Sequence, residues 1–236
     1  MDERFERSAL LLGADGIERL HKSTVAIFGV GGVGSYVAEA LARAGVGYVW
    51  LVDHDVVSLS NVNRQIEALE STVGQPKTQA MKQRMLQINP AMQVTEWQTF
   101  YLPENAEEFP LQKTDYVVDA MDTVTAKLEL AQRCFQMGIP QISSMGAGNK
   151  LDPTKFEVTD IYQTKVCPLA KVMRRELRRR GVERLKVVYS TEEAKIPHMQ
   201  ESVPPGQKML GSVPFVPSVA GLIAAGEVVR DLSGIK

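Results

Sequence analysis

Residues 23–34 read STVAIFGVGGVG, an apolar run rich in β-branched residues that leads directly into four glycines. The run predicts a buried strand, and the glycines satisfy the spacing G-x-G-x-x-G at a strand-to-helix turn. Val33, Val37 and Leu41 follow at helical spacing. Because glycines let backbone N–H groups at a helix N-terminus approach phosphate closely, the stretch predicts a strand, a tight turn and a helix that bind a nucleotide.

A second continuous apolar run, YVWLV at residues 48–52, is typical of a strand buried on both faces. Further strand-like runs at residues 94–100, 116–120 and 140–144 alternate with helical patterns at about 77–88 and 126–137. Strands that alternate with helices predict an α/β fold. We expect a doubly wound, Rossmann-like and mostly parallel sheet with helices on both faces.

The pattern changes after Lys150. An alternating run lies at 156–162, a helix begins at Pro168, a strand lies at 186–190 and a helix at 219–232, with five prolines across residues 197–217. These features predict a C-terminal α+β extension and a mobile loop at 197–217. We expect a single domain over 1–236, in which residues 1–150 form the nucleotide-binding core and residues 151–236 serve substrate docking and dimerisation.

The composition excludes several classes of protein. With 44% hydrophobic and 23% charged residues in 236, the chain is ordinary for a globular protein. No apolar run reaches the ~18 residues of a membrane span, and the start MDERFER is too charged for a secretory signal, so we expect a cytoplasmic protein with no membrane partner. The only cysteines, Cys134 and Cys167, form no zinc or disulfide pattern; Cys134 is expected in the core, and the role of Cys167 stays open.

Charged and polar side chains follow the second predicted strand. Asp53 ends that strand 19 residues beyond Gly34, where a carboxylate accepts from ribose hydroxyls. The segment beyond it supplies Asn61, Arg64, Gln65 and Lys77. A dinucleotide does not need two more cations, whereas a triphosphate does, because departing pyrophosphate must be neutralised. The sequence therefore favours ATP over NAD, with a solvated loop as the alternative.

Two aspartates, Asp119 and Asp122, end the run at 116–120. They are expected at the carboxyl edge of the sheet, where doubly wound folds bind ligands. A carboxylate beside a triphosphate can hold Mg²⁺, and Asp122, which lies beyond the strand, is the candidate. In the alternative interpretation, one of the two only caps the helix that starts near Thr123.

A basic segment covers residues 171–186, with two lysines and six arginines against two glutamates, a local charge of +6. Its predicted helix places Leu169, Met173 and Leu177 on one face. The opposite side carries the candidate tRNA-binding residues Lys171, Arg174, Arg175, Arg178 and Arg179. Such a face can follow a phosphate backbone; the alternative is a solvated surface.

These motifs occur in a specific order. They are residues 29–34, Asp53-x-Asp55, Ser60 to Gln65, Lys77, Asn89-Pro90 and Asp119-x-x-Asp122. The set resembles the family of ubiquitin-activating-type adenylyltransferases over about residues 1–150. Further segments, at 63–66, 152–154, 158–160, 168–170 and 190–192, are similar to the branch of the family that dehydrates threonylcarbamoyladenosine in tRNA, which extends the resemblance over most of the chain.

The resemblance implies an activity and a set of site residues. The activity is ATP-dependent adenylation of the carboxylate of threonylcarbamoyladenosine in tRNA and its closure to a cyclic form, with release of AMP and pyrophosphate. The implied ATP ligands are Gly29, Gly31, Gly32, Gly34, Asp53, Asp55, Ser60, Asn61, Arg64, Gln65, Lys77, Asp122 and Thr123. The implied catalytic residues are Arg64, Lys77, the Mg²⁺-holding Asp122, and Arg7, which in a homodimer reaches the triphosphate of the other subunit.

Other functions stay open at this point. An adenylyltransferase for a sulfur-carrier protein shares the ATP residues, but such enzymes usually carry two C-x-x-C zinc pairs that this sequence lacks. An NAD-dependent oxidoreductase needs the glycines and Asp53 but has no purpose for Arg64 and Lys77. A non-catalytic tRNA-binding subunit is disfavoured because the nucleotide residues are intact. A cysteine desulfurase or sulfur acceptor also stays open as a protein partner.

Overall fold

The computed structural model describes residues 2–198 and 210–235, and its centre is a seven-stranded sheet. The strands are β1 (Thr24–Phe28), β2 (Tyr48–Val52), β3 (Gln93–Trp97), β4 (Tyr116–Asp119), β5 (Gln141–Ser144), β6 (Phe156–Asp160) and β7 (Lys186–Ser190). Their spatial order is β3-β2-β1-β4-β5-β7-β6. All neighbours pair in parallel except β6, which runs antiparallel to β7 at one edge. The expected doubly wound, mostly parallel sheet is confirmed.

Helices cover both faces of this sheet. They are α1 (Glu6–Lys22), α2 (Gly34–Ala44), α3 (Lys77–Ile88), α4 (Val124–Met137), α5 (Pro168–Arg179) and α6 (Pro217–Ser233). Helices α1, α3 and α6 contact α2 on one side, whereas α4 and α5 contact each other on the other side. Strand β1 contributes alternate side chains to the cores on both faces of the sheet. Val25 and Ile27 lie in the core beside α2, while Ala26 and Phe28 lie in the core beside α4.

The C-terminal helix α6 belongs to the same core as the nucleotide-binding half. A Cβ atom at Gly221 would lie 2.4 Å from the carbonyl oxygen of Val33, so α6 and the start of α2 approach more closely than a larger residue would permit. Ala220, Ala224 and Val228 of α6 are fully or almost fully buried. Burial of a valine side chain typically contributes about 1.5–3 kcal/mol, and burial of an alanine methyl group roughly 0.8 kcal/mol.

Four details of the sequence-based expectations are corrected. Strand β3 ends at Trp97 rather than at residue 100, because the Trp97 carbonyl accepts from Asp53 N and the chain then turns away. Helix α1 was not expected; the run Leu10–Leu12 and the non-helical Gly13 obscure its periodicity. Helix α6 begins at Pro217 rather than at residue 219. Strand β6 ends at Asp160 rather than at residue 162, and a short 3-10 turn follows it. The predicted loop at 197–217 lies largely outside the described residues.

None of the helices within residues 2–198 and 210–235 combines the length and apolar character that crossing a bilayer requires.

Candidate functional site

A cavity of about 380 Å³ opens at the carboxyl ends of β1, β2 and β4. This is where the strand order reverses, the usual ligand position in a doubly wound sheet. Its lining contains all but two of the residues expected to bind ATP: Gly29, Gly31, Gly32, Asp53, Asp55, Asn61, Arg64, Gln65, Lys77, Asp122 and Thr123. The two exceptions are Gly34 and Ser60.

The glycine turn after β1 is shaped by close backbone contacts. Gly29 has φ +90°, and a Cβ atom there would lie 2.7 Å from the Ala120 carbonyl oxygen. A Cβ at Gly34 would lie 1.8 Å from the Gly29 oxygen, so Gly34 closes the turn rather than lining the cavity. Within the described residues no side chain caps the N-terminus of α2, which leaves the helix end available to an anion.

Asp53 joins the glycine turn to the segment after β2. One carboxylate oxygen, Oδ2, accepts from Val30 N at 2.6 Å, and Oδ1 accepts from Asp55 N at 2.9 Å. The side chain therefore fixes the backbone on two sides of the cavity. Each oxygen of a carboxylate has a second lone pair, so these contacts leave Asp53 able to accept from a ribose hydroxyl as well.

Lys77, at the start of α3, is paired with Asp55. Its Nζ lies 2.7 Å from Asp55 Oδ2, and the lysine side chain is 7% exposed against 50% for the aspartate. Burial opposes ionisation of Asp55, but the hydrogen bond and charge of Lys77, with the nearby His54, hold the pKa of this carboxyl below its ordinary value. The pair places one cation and one anion in the lining.

Arg64 is oriented by its own segment. Its Nη1 donates to the Ser60 carbonyl at 2.9 Å and to Asn63 Oδ1 at 2.8 Å. Asn61 Oδ1 accepts from Ser58 N at 2.9 Å and so orders the short turn before it. The Ser60 hydroxyl lies 2.9 Å from that of Ser58 and is exposed; the structure places it outside the lining, where Ser60 acts through its carbonyl.

The two aspartates at the end of β4 have different surroundings. Asp119 is fully buried and its Oδ2 lies 2.9 Å from Lys127 Nζ. Asp122 is exposed and belongs to the lining. The N-cap of α4 is Thr123 and has no side-chain cap hydrogen bond, so neither aspartate caps the helix. The alternative that one of them only caps α4 is wrong.

Several lining residues were not expected from the sequence. They are His54, Thr99, Phe100, Tyr101, Ala147, Gly148 and the described segment at 210–212. The His54 and Phe100 rings meet edge to face with centroids 4.3 Å apart. Asn149, with φ +58°, donates from its N to the Gly211 carbonyl at 2.8 Å and accepts from Gly211 N through Oδ1 at 2.6 Å. These two hydrogen bonds hold the segment at 210–212 against the cavity.

Helix α5 presents the expected basic surface, with one change. Met173 and Leu177 are buried as predicted. Arg175 and Arg179 are about two-thirds exposed and share Glu176, at 2.7 and 3.2 Å. Arg174, however, is half-buried and donates to the Thr164 carbonyl at 2.9 Å, so it is tied to the protein interior.

The remaining candidates lie away from the cavity of their own chain. Arg7 is exposed on α1 and is not in the lining. Cys134 is in the core as expected, and burial raises the pKa of its thiol to about 12. Cys167 is 3% exposed and lies in the core between α4 and α5.

Comparison with known proteins decides the family, since the model of the ThiF family matches residues 5–236. The chain belongs to the ThiF family. It is 47% identical to tRNA threonylcarbamoyladenosine dehydratase of Bacillus subtilis over 98% of this chain and 95% of that protein. The family expected from the motifs is confirmed.

Solved structures extend the comparison. Crystal structures of Escherichia coli tRNA N6-threonylcarbamoyladenosine dehydratase in complex with ATP and with AMP match with TM-scores of 0.89 and 0.90, at 33% identity over 98% of this chain and 94% of that chain. The molybdopterin-synthase adenylyltransferase of Escherichia coli is 38% identical over 66% of this chain and 64% of that protein. The similarity to the dehydratases therefore continues through the region after residue 150.

Proposed function

We propose that this protein is an ATP-dependent tRNA threonylcarbamoyladenosine dehydratase. The observation that carries the proposal is the convergence of the glycine turn, Arg64, Lys77 and Asp122 on one cavity, in a chain that is similar over almost its whole length to dehydratases of this name. The expected site of action is the cytoplasm.

The proposed reaction has two displacements. The carboxylate of the modified nucleoside displaces pyrophosphate from the α-phosphate of ATP, and the carbamoyl group of the same nucleoside then displaces AMP from the acyl carbon. One carboxylate oxygen leaves in AMP and the carbamoyl group releases a proton, so the nucleoside becomes lighter by the elements of one water. The first nucleophile is already an anion and the second reacts within its own molecule, so positioning replaces general-base catalysis. The protein's main contribution is stabilisation of charge on the departing pyrophosphate.

The lining residues divide this work. The glycine turn and the N-terminus of α2 receive phosphate oxygens, and Asp53 accepts from the ribose. Arg64 and Lys77, which both line the cavity, are the cationic side chains that this chain offers to the triphosphate. Both are already oriented, Arg64 by the Ser60 carbonyl and Lys77 by Asp55, so little reorganisation is required when charge develops.

Asp122 fits the Mg²⁺ that accompanies a triphosphate. Its carboxylate is exposed in the lining, and among residues 2–198 and 210–235 it takes part in no ion pair. Carboxylate oxygen is the ligand that Mg²⁺ prefers. Bound there, the ion supplies neutralisation of phosphate charge.

We propose that the active form is a homodimer, to which residues 151–236 contribute, and that Arg7 completes the site of the other subunit. Leu10 and Leu11 follow Arg7 on α1 and are 86% and 83% exposed. Two adjacent, almost fully exposed leucines favour a protein contact. A second copy that covers them would also approach Arg7, which lies on the same helix.

The tRNA is proposed to dock on the basic face of α5. Lys171, Arg175, Arg178 and Arg179 are exposed there, and the side chain of Arg178 lies over the Tyr162 ring, 5.0 Å from its centroid. Arginines and lysines in such a row bind backbone phosphates without reading sequence. Arg174, which is half-buried, also orders the loop before α5 through the Thr164 carbonyl.

The proposal is tested by the acceptor that makes the protein form AMP. The purified protein is incubated with ATP and Mg²⁺ together with tRNA that carries threonylcarbamoyladenosine, tRNA that lacks it, or a ubiquitin-like sulfur-carrier protein. We expect AMP only with the modified tRNA. Pyrophosphate released with the carrier protein, whose carboxyl terminus keeps the adenylyl group, would instead make the protein a carrier adenylyltransferase, and a thermal shift with NAD but not ATP would exclude adenylation altogether.

A further inference from the structure

Behind the cavity, Asp119 at the end of β4 and Lys127 in α4 form an ion pair that is completely buried. Both side chains have an exposed fraction of 0%, and Lys127 Nζ lies 2.9 Å from Asp119 Oδ2. Neither residue lines the cavity. A buried pair of this kind is weak support for stability, because replacing both charges by apolar groups is often neutral or favourable. Its contacts indicate another purpose.

Lys127 uses all three of its ammonium protons. Besides Asp119, its Nζ donates to the Met121 carbonyl at 3.2 Å and to the Ser144 carbonyl at 2.9 Å. An ammonium group has three donors and no acceptor, so the group is satisfied. The two carbonyls belong to the segments that leave β4 and β5. Both segments continue into the lining of the cavity, at Met121 and at Ala147.

Asp119 holds the same backbone from the other direction. Its Oδ1 accepts from Met121 N at 3.2 Å, and its Oδ2 accepts from Ser143 Oγ at 2.6 Å. Met121 is therefore bound at its N–H by Asp119 and at its carbonyl by Lys127. The pair therefore fixes the two peptide groups on either side of one residue of the cavity wall.

The glycine turn contacts residues 120–121 of the cavity wall from the opposite side. Ala120 N donates to the Phe28 carbonyl at 2.8 Å, and the Ala120 carbonyl lies so close to Gly29 that a Cβ there would be 2.7 Å away. Residues 120–121 thus lie between the phosphate-binding turn and the buried pair. The next two residues along the chain are Asp122 and Thr123, both in the lining.

We propose that Lys127 and Asp119 are positioning residues for adenylation. By fixing the Met121 backbone they set where Asp122 stands relative to the glycine turn, and hence where the triphosphate and its metal ion meet the substrate. This inference rests on the proposed function. It gives α4 a part in the geometry of the site although neither side chain of the pair lines the cavity.

The first test variant is Lys127→Met, which matches the lysine side chain as far as Cε and removes the ammonium group. Its matched control is Lys82→Met, because Lys82 also pairs with a carboxylate, Glu96 at 2.8 Å, but on the surface. For each protein we measure the melting temperature, the Kd for ATP by calorimetry and kcat for pyrophosphate release with modified tRNA, well below the melting temperature. Displacement of the wall by an ångström is expected to lower kcat of Lys127→Met by about ten- to hundredfold, more than it weakens ATP binding.

A second variant separates positioning from stability. Lys127→Met alone leaves Asp119 buried without a cation and is expected to melt at a lower temperature. The double variant Asp119→Asn with Lys127→Met removes that unpaired charge, so the melting temperature should recover while kcat stays low, since the Met121 and Ser144 carbonyls still lack their donor. Recovery of wild-type kcat together with the melting temperature would overturn the proposal, as would a wild-type kcat in Lys127→Met. If the wild-type protein itself releases no pyrophosphate with any tRNA, the proposed function fails and the positioning role fails with it. Wild-type kcat in the variants of an active protein would overturn the positioning role alone.

Discussion

The ammonium of Lys77 lies 2.7 Å from a carboxylate oxygen of Asp55. The cation proposed for the departing pyrophosphate is thus held by an anion of its own chain. Because Asp55 keeps a lowered pKa, this partner stays charged at neutral pH and the lysine stays oriented. A triphosphate has to share Lys77 with Asp55 rather than capture a free side chain.

The first prediction concerns this lysine. Lys77→Ala should lower the rate of ATP-dependent pyrophosphate release by about 10²–10³-fold, the usual cost of removing one preorganised charge-stabilising group. Lys82→Ala is the control, because Lys82 also pairs with a carboxylate but on the surface. Circular dichroism checks that both variants are folded. Full activity in folded Lys77→Ala would reject the role.

The second prediction concerns Asp122. In the wild-type protein Mg²⁺ should tighten ATP binding, whereas in Asp122→Ala the Kd for ATP should be the same with and without the ion, and pyrophosphate release should be lost. Calorimetry at matched ionic strength measures both constants. Glu108→Ala removes an exposed carboxylate outside the lining and should keep the Mg²⁺ effect. A persisting Mg²⁺ effect in Asp122→Ala would place the ion elsewhere.

The third prediction concerns tRNA docking. Arg175→Glu combined with Arg179→Glu should weaken tRNA binding and lower the slope of log Kd against log salt by about two, one for each lost phosphate contact. ATP affinity should not change, because neither residue lies in the cavity. The combination Lys22→Glu with Lys113→Glu makes the same change in net charge on other exposed sites. Equal weakening in both combinations would mean that overall charge, not α5, governs binding.

The fourth prediction tests whether Arg7 acts across a dimer. Arg7→Ala and Lys77→Ala should each be inactive, but subunit exchange between them creates heterodimers with one intact site. Random exchange gives heterodimers in half of the dimers with one of two sites intact, so about a quarter of wild-type activity should return. Native mass spectrometry verifies the exchange. Exchanged heterodimers without activity would contradict a site shared between subunits.

The fifth prediction uses Glu67, which is 2% exposed and whose carboxylate oxygens have no hydrogen-bond partner among the described residues. Burial raises the pKa of Glu67 from 4.5 to about 7, despite the nearby charge of Lys77. The folded state therefore holds the proton more tightly than the unfolded chain, so the contribution of Glu67 to the free energy of unfolding is largest below pH 4.5 and falls as pH rises to about 7, by at most about 3 kcal/mol. Glu67→Gln removes this loss.

Urea unfolding of the wild-type protein and of Glu67→Gln between pH 4.5 and 8 measures the effect. The difference in free energy of unfolding should grow in favour of Glu67→Gln as pH rises and level off above pH 7. Parallel curves for the two proteins would show that Glu67 has found a partner or water in solution.

Much of the fold follows from local pattern. Strands β2 and β7 and helix α3 have the expected bounds, because continuous apolar runs and a proline just before Lys77 mark them in the sequence. Strand β3 ends before the run expected at 94–100 does, since its end depends on pairing with β2 and not on residue type. Helix α1 was missed because its apolar residues Leu10 and Leu11 face outwards, against the usual pattern.

In the candidate site, too, some residues are recognisable from the sequence, whereas others reach the site only through tertiary packing. The glycine turn and the charged segment from Asp53 to Lys77 are recognisable because their residue types have few other uses at that spacing. Phe100 reaches the cavity only because β3 neighbours β2, and the segment at 210–212 only because Asn149 binds Gly211. The sequence alone would predict Lys127 to be a surface lysine in a helix. Its burial against Asp119 follows from tertiary packing alone.

The most direct test of the central claim is the mass of the nucleoside after reaction. tRNA that carries threonylcarbamoyladenosine is incubated with the protein, ATP and Mg²⁺, digested to nucleosides and analysed by mass spectrometry. We predict that the modified nucleoside becomes lighter by one water, with the wild-type protein and ATP but not with Lys77→Ala or without ATP. A modified nucleoside of unchanged mass, in a reaction where the protein consumes ATP, would contradict the account.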